Sequence, residues 1–110
     1  MILYGIPNCD TCRKARKWLD SEGVAHEFHD VREQPLDRKT LADWERRFGD
    51  ALVNRRSTTW RQLDESARRM DDIPALLLEH PTLMKRPVLA GRDFALLGFK
   101  PGDWQAAIEK

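Results

Sequence analysis

Within its first twelve residues the chain passes from an apolar run to a cysteine pair, and that junction narrows the possible folds more than anything after it. Met1 to Ile6 is apolar, rich in strand formers, and stopped by Pro7 and Asn8. From Asp10 the apolar spacing changes to three and four, through Cys12, Ala15 and Trp18 or Leu19, and Gly23 follows as an expected C′ residue. A buried strand, a tight turn and a helix are predicted, with Cys9 at the turn.

The rest of the chain alternates in a readable way. Val24 to Val31 is expected to form a second strand. Asp37 is a candidate N-cap, with Leu36 and Leu41 at the spacing of a hydrophobic staple; Trp44 and Phe48 continue that helix and Gly49 closes it. Thr58, Thr59 and Trp60 open another helical stretch, with Trp60, Leu63 and Ala67 on one side. Asp71 or Asp72 caps a third, which carries Ile73, Leu76, Leu77 and His80 and ends at Pro81. Val88 to Gly91 and Phe94 to Gly98 read as two strands joined by a tight turn. Pro101, at a first helical position, starts a last helix with Trp104 and Ile108 inward. The order β-α-β, helical block, β-β-α predicts a single α/β domain. Its core is one mixed sheet made from 1–34 and 84–110, and about 35–83 forms a helical insertion. Trp18, Trp44, Trp60 and Trp104 occupy apolar helical positions and are read as core.

Composition excludes several classes. The 110 residues hold 19 basic and 18 acidic side chains, a net charge of +1, which argues against nucleic acid or an anionic membrane as partner. No apolar run approaches the roughly 20 residues of a spanning helix. Met1 to Cys9 shows neither a basic n-region nor an apolar h-region, so a cytoplasmic, reducing location is expected. With nearly balanced charge and no evident apolar stripe, a monomer is expected.

A reducing location makes a structural disulfide the poorer account of Cys9 and Cys12. At a strand end and helix start, Cys9 meets unpaired backbone N–H groups and the positive end of the helix dipole. Arg13, Lys14, Arg16 and Lys17 add positive charge along the same helix. Both effects favour a thiolate, the nucleophilic form, able to attack a disulfide or an oxyanion. Cys12, one turn on, is either the thiol that resolves a mixed disulfide or a small packed hydrophobe. Zinc fits poorly: His26 and His29, the next candidate ligands, are two residues apart where three to five are expected, and on a strand they face opposite ways. No metal is expected. His80, before Pro81, is read as a capping or packed histidine.

The segment Leu3 to Cys9 followed by a basic helix resembles the ArsC-type arsenate reductases and their relatives, thioredoxin-fold proteins with a helical insertion. The resemblance continues through Arg55 to Trp60, Glu79 to Pro81, Met84 to Val88 and Gly98 to Pro101, and within the group it is strongest toward the YffB-like branch. It implies that Cys9 is the nucleophile. It implies that Arg86 holds an anion or a glutathione carboxylate near the sulfur, and that Pro87 is the family's cis-proline, whose neighbouring backbone pairs with a bound thiol peptide. It places Arg56, or its neighbour Arg55, near a further anion contact. Lys100 stands where the reductases carry their last anion-binding arginine; it keeps the charge but lacks the planar fork suited to an oxyanion. Cys12, absent from the arsenate enzymes, is present in the Spx-type redox regulators.

Three functions follow from the residues and the resemblance. The leading one is a glutathione-dependent thiol–disulfide reductase working through Cys9, with glutathione as co-substrate. The second is arsenate reduction, with the oxyanion held by Arg86, Arg56 and Lys100. The third is a redox-sensing regulator switched by a Cys9–Cys12 disulfide.

Overall fold

In the computed structural model, which describes residues 1–109, the apolar start of the chain becomes strand β1 (Ile2–Gly5) and the turn at Pro7 and Asn8 delivers the chain into α1 (Asp10–Ser21). The chain divides into two units, 1–31 with 86–110, and 32–85. The first contains β1, α1, β2 (Glu27–Asp30), β3 (Val88–Ala90), β4 (Ala95–Leu97) and α6 (Pro101–Ile108). The second contains α2 (Arg38–Phe48), α3 (Thr58–Gln62), α4 (Glu65–Arg68) and α5 (Ile73–Glu79), with short 3₁₀ turns at Gly49–Leu52 and Pro81–Leu83.

In the first unit the strands form one mixed sheet in the order β2-β1-β3-β4. β1 runs parallel to β2, with Tyr4 opposite His29, and antiparallel to β3, with Leu3 opposite Leu89. β3 and β4 are antiparallel, and their connecting turn is closed by the Gly91 N–H donating to the Phe94 carbonyl at 2.9 Å. Leu3, Ala15, Leu19, Leu89 and Trp104 make a buried cluster, so α1 and α6 share the sheet face that Leu3 presents. Trp18, Phe99 and Trp104 meet edge to face, with centroids 5.0–6.1 Å apart. Trp104 Nε1 donates to the Gly98 carbonyl at 3.0 Å, which satisfies the one polar atom that its burial would otherwise strand.

The ends of α1 follow from its sequence. Gly23 takes φ 68°, its N–H donates to Asp20 O at 3.1 Å, and the Val24 N–H donates to Leu19 O at 3.0 Å, the paired bonds of a Schellman end. In the second unit Asp37 caps α2 by accepting from Thr40 N at 2.7 Å, and Asp72 caps α5 by accepting from Ala75 N at 3.2 Å. The same Asp72 carboxylate receives Arg38 Nη2 at 2.6 Å.

Two expected elements differ. The stretch from Thr58 is not one helix. Leu63 is extended, and Asp64 starts α4 by accepting from Ala67 N at 2.8 Å, so an Asx side chain competes with helix continuation and wins. β2 is shorter than Val24 to Val31, because Val24 is taken up by the end of α1 and Ala25 and His26 lie outside the ladder.

Trp104→Ala should lower the unfolding free energy by about 3–5 kcal/mol. Trp104→Phe, which keeps most of the ring but leaves the Gly98 carbonyl without its donor, should cost about 1–3 kcal/mol. Urea unfolding checks this; equal losses in the two variants would show that the indole hydrogen bond, not ring burial, dominates.

Candidate functional site

Cys9 occupies the N-cap position of α1 in extended backbone, φ −97° and ψ 123°, and is half-buried. Its side chain closes no capping hydrogen bond of ordinary geometry. The Cys12 N–H, at the third helical position, nevertheless bears on its sulfur, together with the Cys12 thiol and the Arg86 guanidinium. Burial alone would raise the Cys9 pKa. The Cys12 amide, the Cys12 thiol and Arg86 outweigh it, and the Cys9 thiol lies below its ordinary value.

Cys12 is in the opposite condition. It is fully buried. Burial, and the neighbouring Cys9 sulfur, push its thiol up to about 11 against an opposing contribution from the Ile6 backbone. The pair is therefore one accessible sulfur disposed to lose its proton, backed by one buried thiol disposed to keep it. Both cysteines are free.

Arg86 and Pro87 approach from the other end of the sheet sequence. The Arg86–Pro87 peptide bond is cis. Pro87 is buried, and its carbonyl accepts from Gly98 N at 2.8 Å, tying the loop to the far end of β4. Arg86 lies directly before β3, which pairs with β1, and this register carries its guanidinium to the Cys9 sulfur. The cation that lowers the Cys9 thiol is thus Arg86, from a distant part of the sequence. Two basic residues of α1 are engaged elsewhere: Arg13 pairs with Asp10, and the Arg16 guanidinium lies over the Phe28 ring at 4.3 Å.

Lys100 is exposed at the N-cap of α6. Arg56 is exposed in the second unit, where its backbone N–H donates to Asn54 Oδ1 at 3.1 Å. Its neighbour Arg55 reaches the Asp50 carbonyl at 3.4 Å and stacks over the Trp60 ring at 5.4 Å. His80 stands at the end of α5, its Nε2 4.0 Å from the Glu79 carboxylate. Among the described residues there is no cluster of three or more His, Cys, Asp or Glu able to hold a metal ion.

Sequence reasoning did not single out Gly5. A Cβ built on Gly5 would lie 2.5 Å from Cys12 Sγ. The signal was present: a glycine inside an apolar strand marks a close approach of something to its backbone.

The model of the ArsC family matches residues 4–107. The chain belongs to the ArsC family. The ArsC chain is 49% identical over 112 residues to an uncharacterized protein of Haemophilus influenzae, covering 98% of each. It superposes on the solved structure of a YffB protein with a TM-score of 0.89 and 43% identity, covering 96% of each chain. It is also 29% identical over 108 residues to the regulatory protein MgsR of Bacillus subtilis, covering 94% of this chain and 86% of that protein. The mixed sheet with its helices is the thioredoxin-like α/β arrangement of these ArsC proteins.

Arg86→Met should raise the Cys9 pKa, because it removes the cation that favours the charged form. Thiolate ultraviolet absorbance, followed against pH, should show its first step displaced upward, with the two proteins alike well below and well above both steps. An unmoved step would remove Arg86 from the account.

Proposed function

We propose that this ArsC-family chain is a glutathione-dependent thiol–disulfide reductase, with Cys9 as nucleophile. One observation carries the reading: Cys9 is a half-exposed sulfur at a helix start whose thiolate is favoured by the Cys12 amide, the Cys12 thiol and Arg86. A thiolate with a pKa near ambient pH is the best attacking thiol.

The Cys9 thiolate attacks one sulfur of a substrate disulfide in line with the S–S bond. A Cys9 mixed disulfide forms and the other half leaves as a thiolate, which takes a proton from water. If the retained half is glutathione, a second glutathione thiolate attacks the glutathionyl sulfur, releases oxidised glutathione and restores the Cys9 thiolate. One free glutathione is consumed: it leaves as oxidised glutathione with the glutathionyl half of the substrate, whose other half leaves as a thiol. Arg86 stabilises the sulfur anion at the start and at the end of the cycle. In this reading Arg86 also receives a glutathione carboxylate, with Lys100 adding a point charge.

A second reading has its own support. Cys9 and Cys12 are spaced for an internal disulfide, and MgsR, a regulatory protein, is a relative over nearly the whole chain. A redox-sensing regulator would use the same first step, with Cys12 expelling the leaving thiol. Arsenate reduction would need the oxyanion held by Arg86 with Lys100, whose ammonium lacks the planar fork that suits an oxyanion.

Reduction of a glutathione mixed disulfide, coupled to glutathione reductase and NADPH, should proceed with the wild type and fall at least about a hundredfold in Cys9→Ser, which lacks the nucleophile. Full activity in Cys9→Ser, or turnover only when arsenate is supplied, would overturn the reading. A complex with a transcription protein captured only under oxidising conditions would overturn it in favour of the regulator.

A further inference from the structure

We propose that Trp104 is a positioning residue for the Cys9 site: its indole N–H, acting through Gly98, holds the Arg86–Pro87 loop in place beside the turn that carries Cys9. The proposal rests on the reading of Cys9 and Arg86 given above and says what fixes Arg86 there.

The connection runs through two hydrogen bonds at one residue. Gly98 is buried and takes φ 75°, a left-handed backbone that suits glycine, as the chain turns out of β4. Its N–H donates to the Pro87 carbonyl at 2.8 Å, and its own carbonyl accepts from Trp104 Nε1 at 3.0 Å. On the β3–β4 ladder Val88 pairs with Leu97, so Pro87 and Gly98 are the next partners out. Proline has no N–H to return, and the Gly98 N–H therefore carries this step of the ladder alone. On the other side of β3, Tyr4 pairs with Val88, and the same antiparallel register carried two residues further sets Ile6 opposite Arg86. The Ile6 carbonyl accepts the Cys9 N–H at 3.4 Å, which joins the two ends of the connection.

Trp104 is the rigid member. It is 1% exposed, its backbone N–H donates to the Lys100 carbonyl at 3.0 Å, and its ring meets Trp18 and Phe99 edge to face. Gly98 is the opposite, since a glycine resists rotation of φ and ψ less than any other residue. Without the indole N–H a buried carbonyl is left unsatisfied, and rotation at Gly98 toward another donor moves the N–H that holds Pro87.

The experiment is a double-mutant cycle on the pH dependence of Cys9 alkylation by iodoacetamide, read by tandem mass, in wild type, Trp104→Phe, Arg86→Met and the double variant. A displaced Arg86 favours the Cys9 thiolate less, so the Trp104→Phe rate at pH 6 should fall about two- to fivefold, on the scale of tenfold per pKa unit. Rates at high pH, where Cys9 is thiolate in every protein, should coincide. In the Arg86→Met background the same change should leave the profile where it is, because no guanidinium remains to be positioned. Replacing the Trp104 indole by benzothiophene, which keeps the ring and lacks only the N–H, should repeat the Trp104→Phe result and stands in for it if that variant does not fold.

A Trp104→Phe profile that overlays wild type, with or without a lowered Tm, would show a purely structural tryptophan and overturn the inference. So would an equal displacement in both backgrounds, or an Arg86→Met profile that overlays wild type. Alkylation uses no glutathione: profiles as expected without glutathione turnover would overturn only the proposed function, and turnover with contrary profiles would overturn only this inference.

Discussion

The sulfur of Cys9 sits where a strand has ended and a helix has begun, and the rest of the first unit is arranged so that a negative charge there is tolerated. Burial works against that charge. The Cys12 amide, the Cys12 thiol and the Arg86 guanidinium work for it and together prevail. Each of these groups depends on a different part of the fold. The amide needs the first turn of α1, the thiol needs the glycine at position 5 of β1, and the guanidinium needs β3 to pair with β1 so that Arg86 arrives beside residue 9. Loosening any one of them leaves the cost of burying the sulfur in place while removing part of what offsets it.

Much of this was legible in the amino-acid sequence because the local signals agreed with the global fold. The change of apolar period after Pro7, the glycine at 23, and the prolines at 87 and 101 mark strand, helix end, loop and helix start where the structure has them. The C-x-x-C located the half-buried sulfur at the start of α1. What was not legible came from long-range pairing and from competition between side chains. The basic run Arg13 to Lys17 looked like the source of positive potential, yet Arg13 pairs with Asp10 and Arg16 covers Phe28, and the cation that acts is 77 residues from Cys9 in sequence. No spacing rule reaches that far. The break at Asp64 was hidden because Trp60, Leu63 and Ala67 keep helical spacing across it, and only the capping geometry of the aspartate shows that the helix restarts.

The asymmetry of the two cysteines has consequences for chemistry. An accessible sulfur disposed to ionise, beside a buried thiol disposed to keep its proton, suits a first attack by Cys9 on a disulfide sulfur. Whether the next nucleophile is external glutathione or Cys12 decides between a reductase and a switch. Cys12 is deeply buried and strongly disposed to keep its proton, which slows its service as a second nucleophile. The family membership and the YffB likeness fix the scaffold.

The most direct measurement is a single NMR titration of the cysteine Cβ shifts of Cys9 and Cys12 in the reduced protein. The account predicts that Cys9 ionises first, below its ordinary value, while Cys12 remains a thiol until close to pH 11. A Cys9 that titrates at or above the ordinary thiol value, or a Cys12 that loses its proton first, would contradict it.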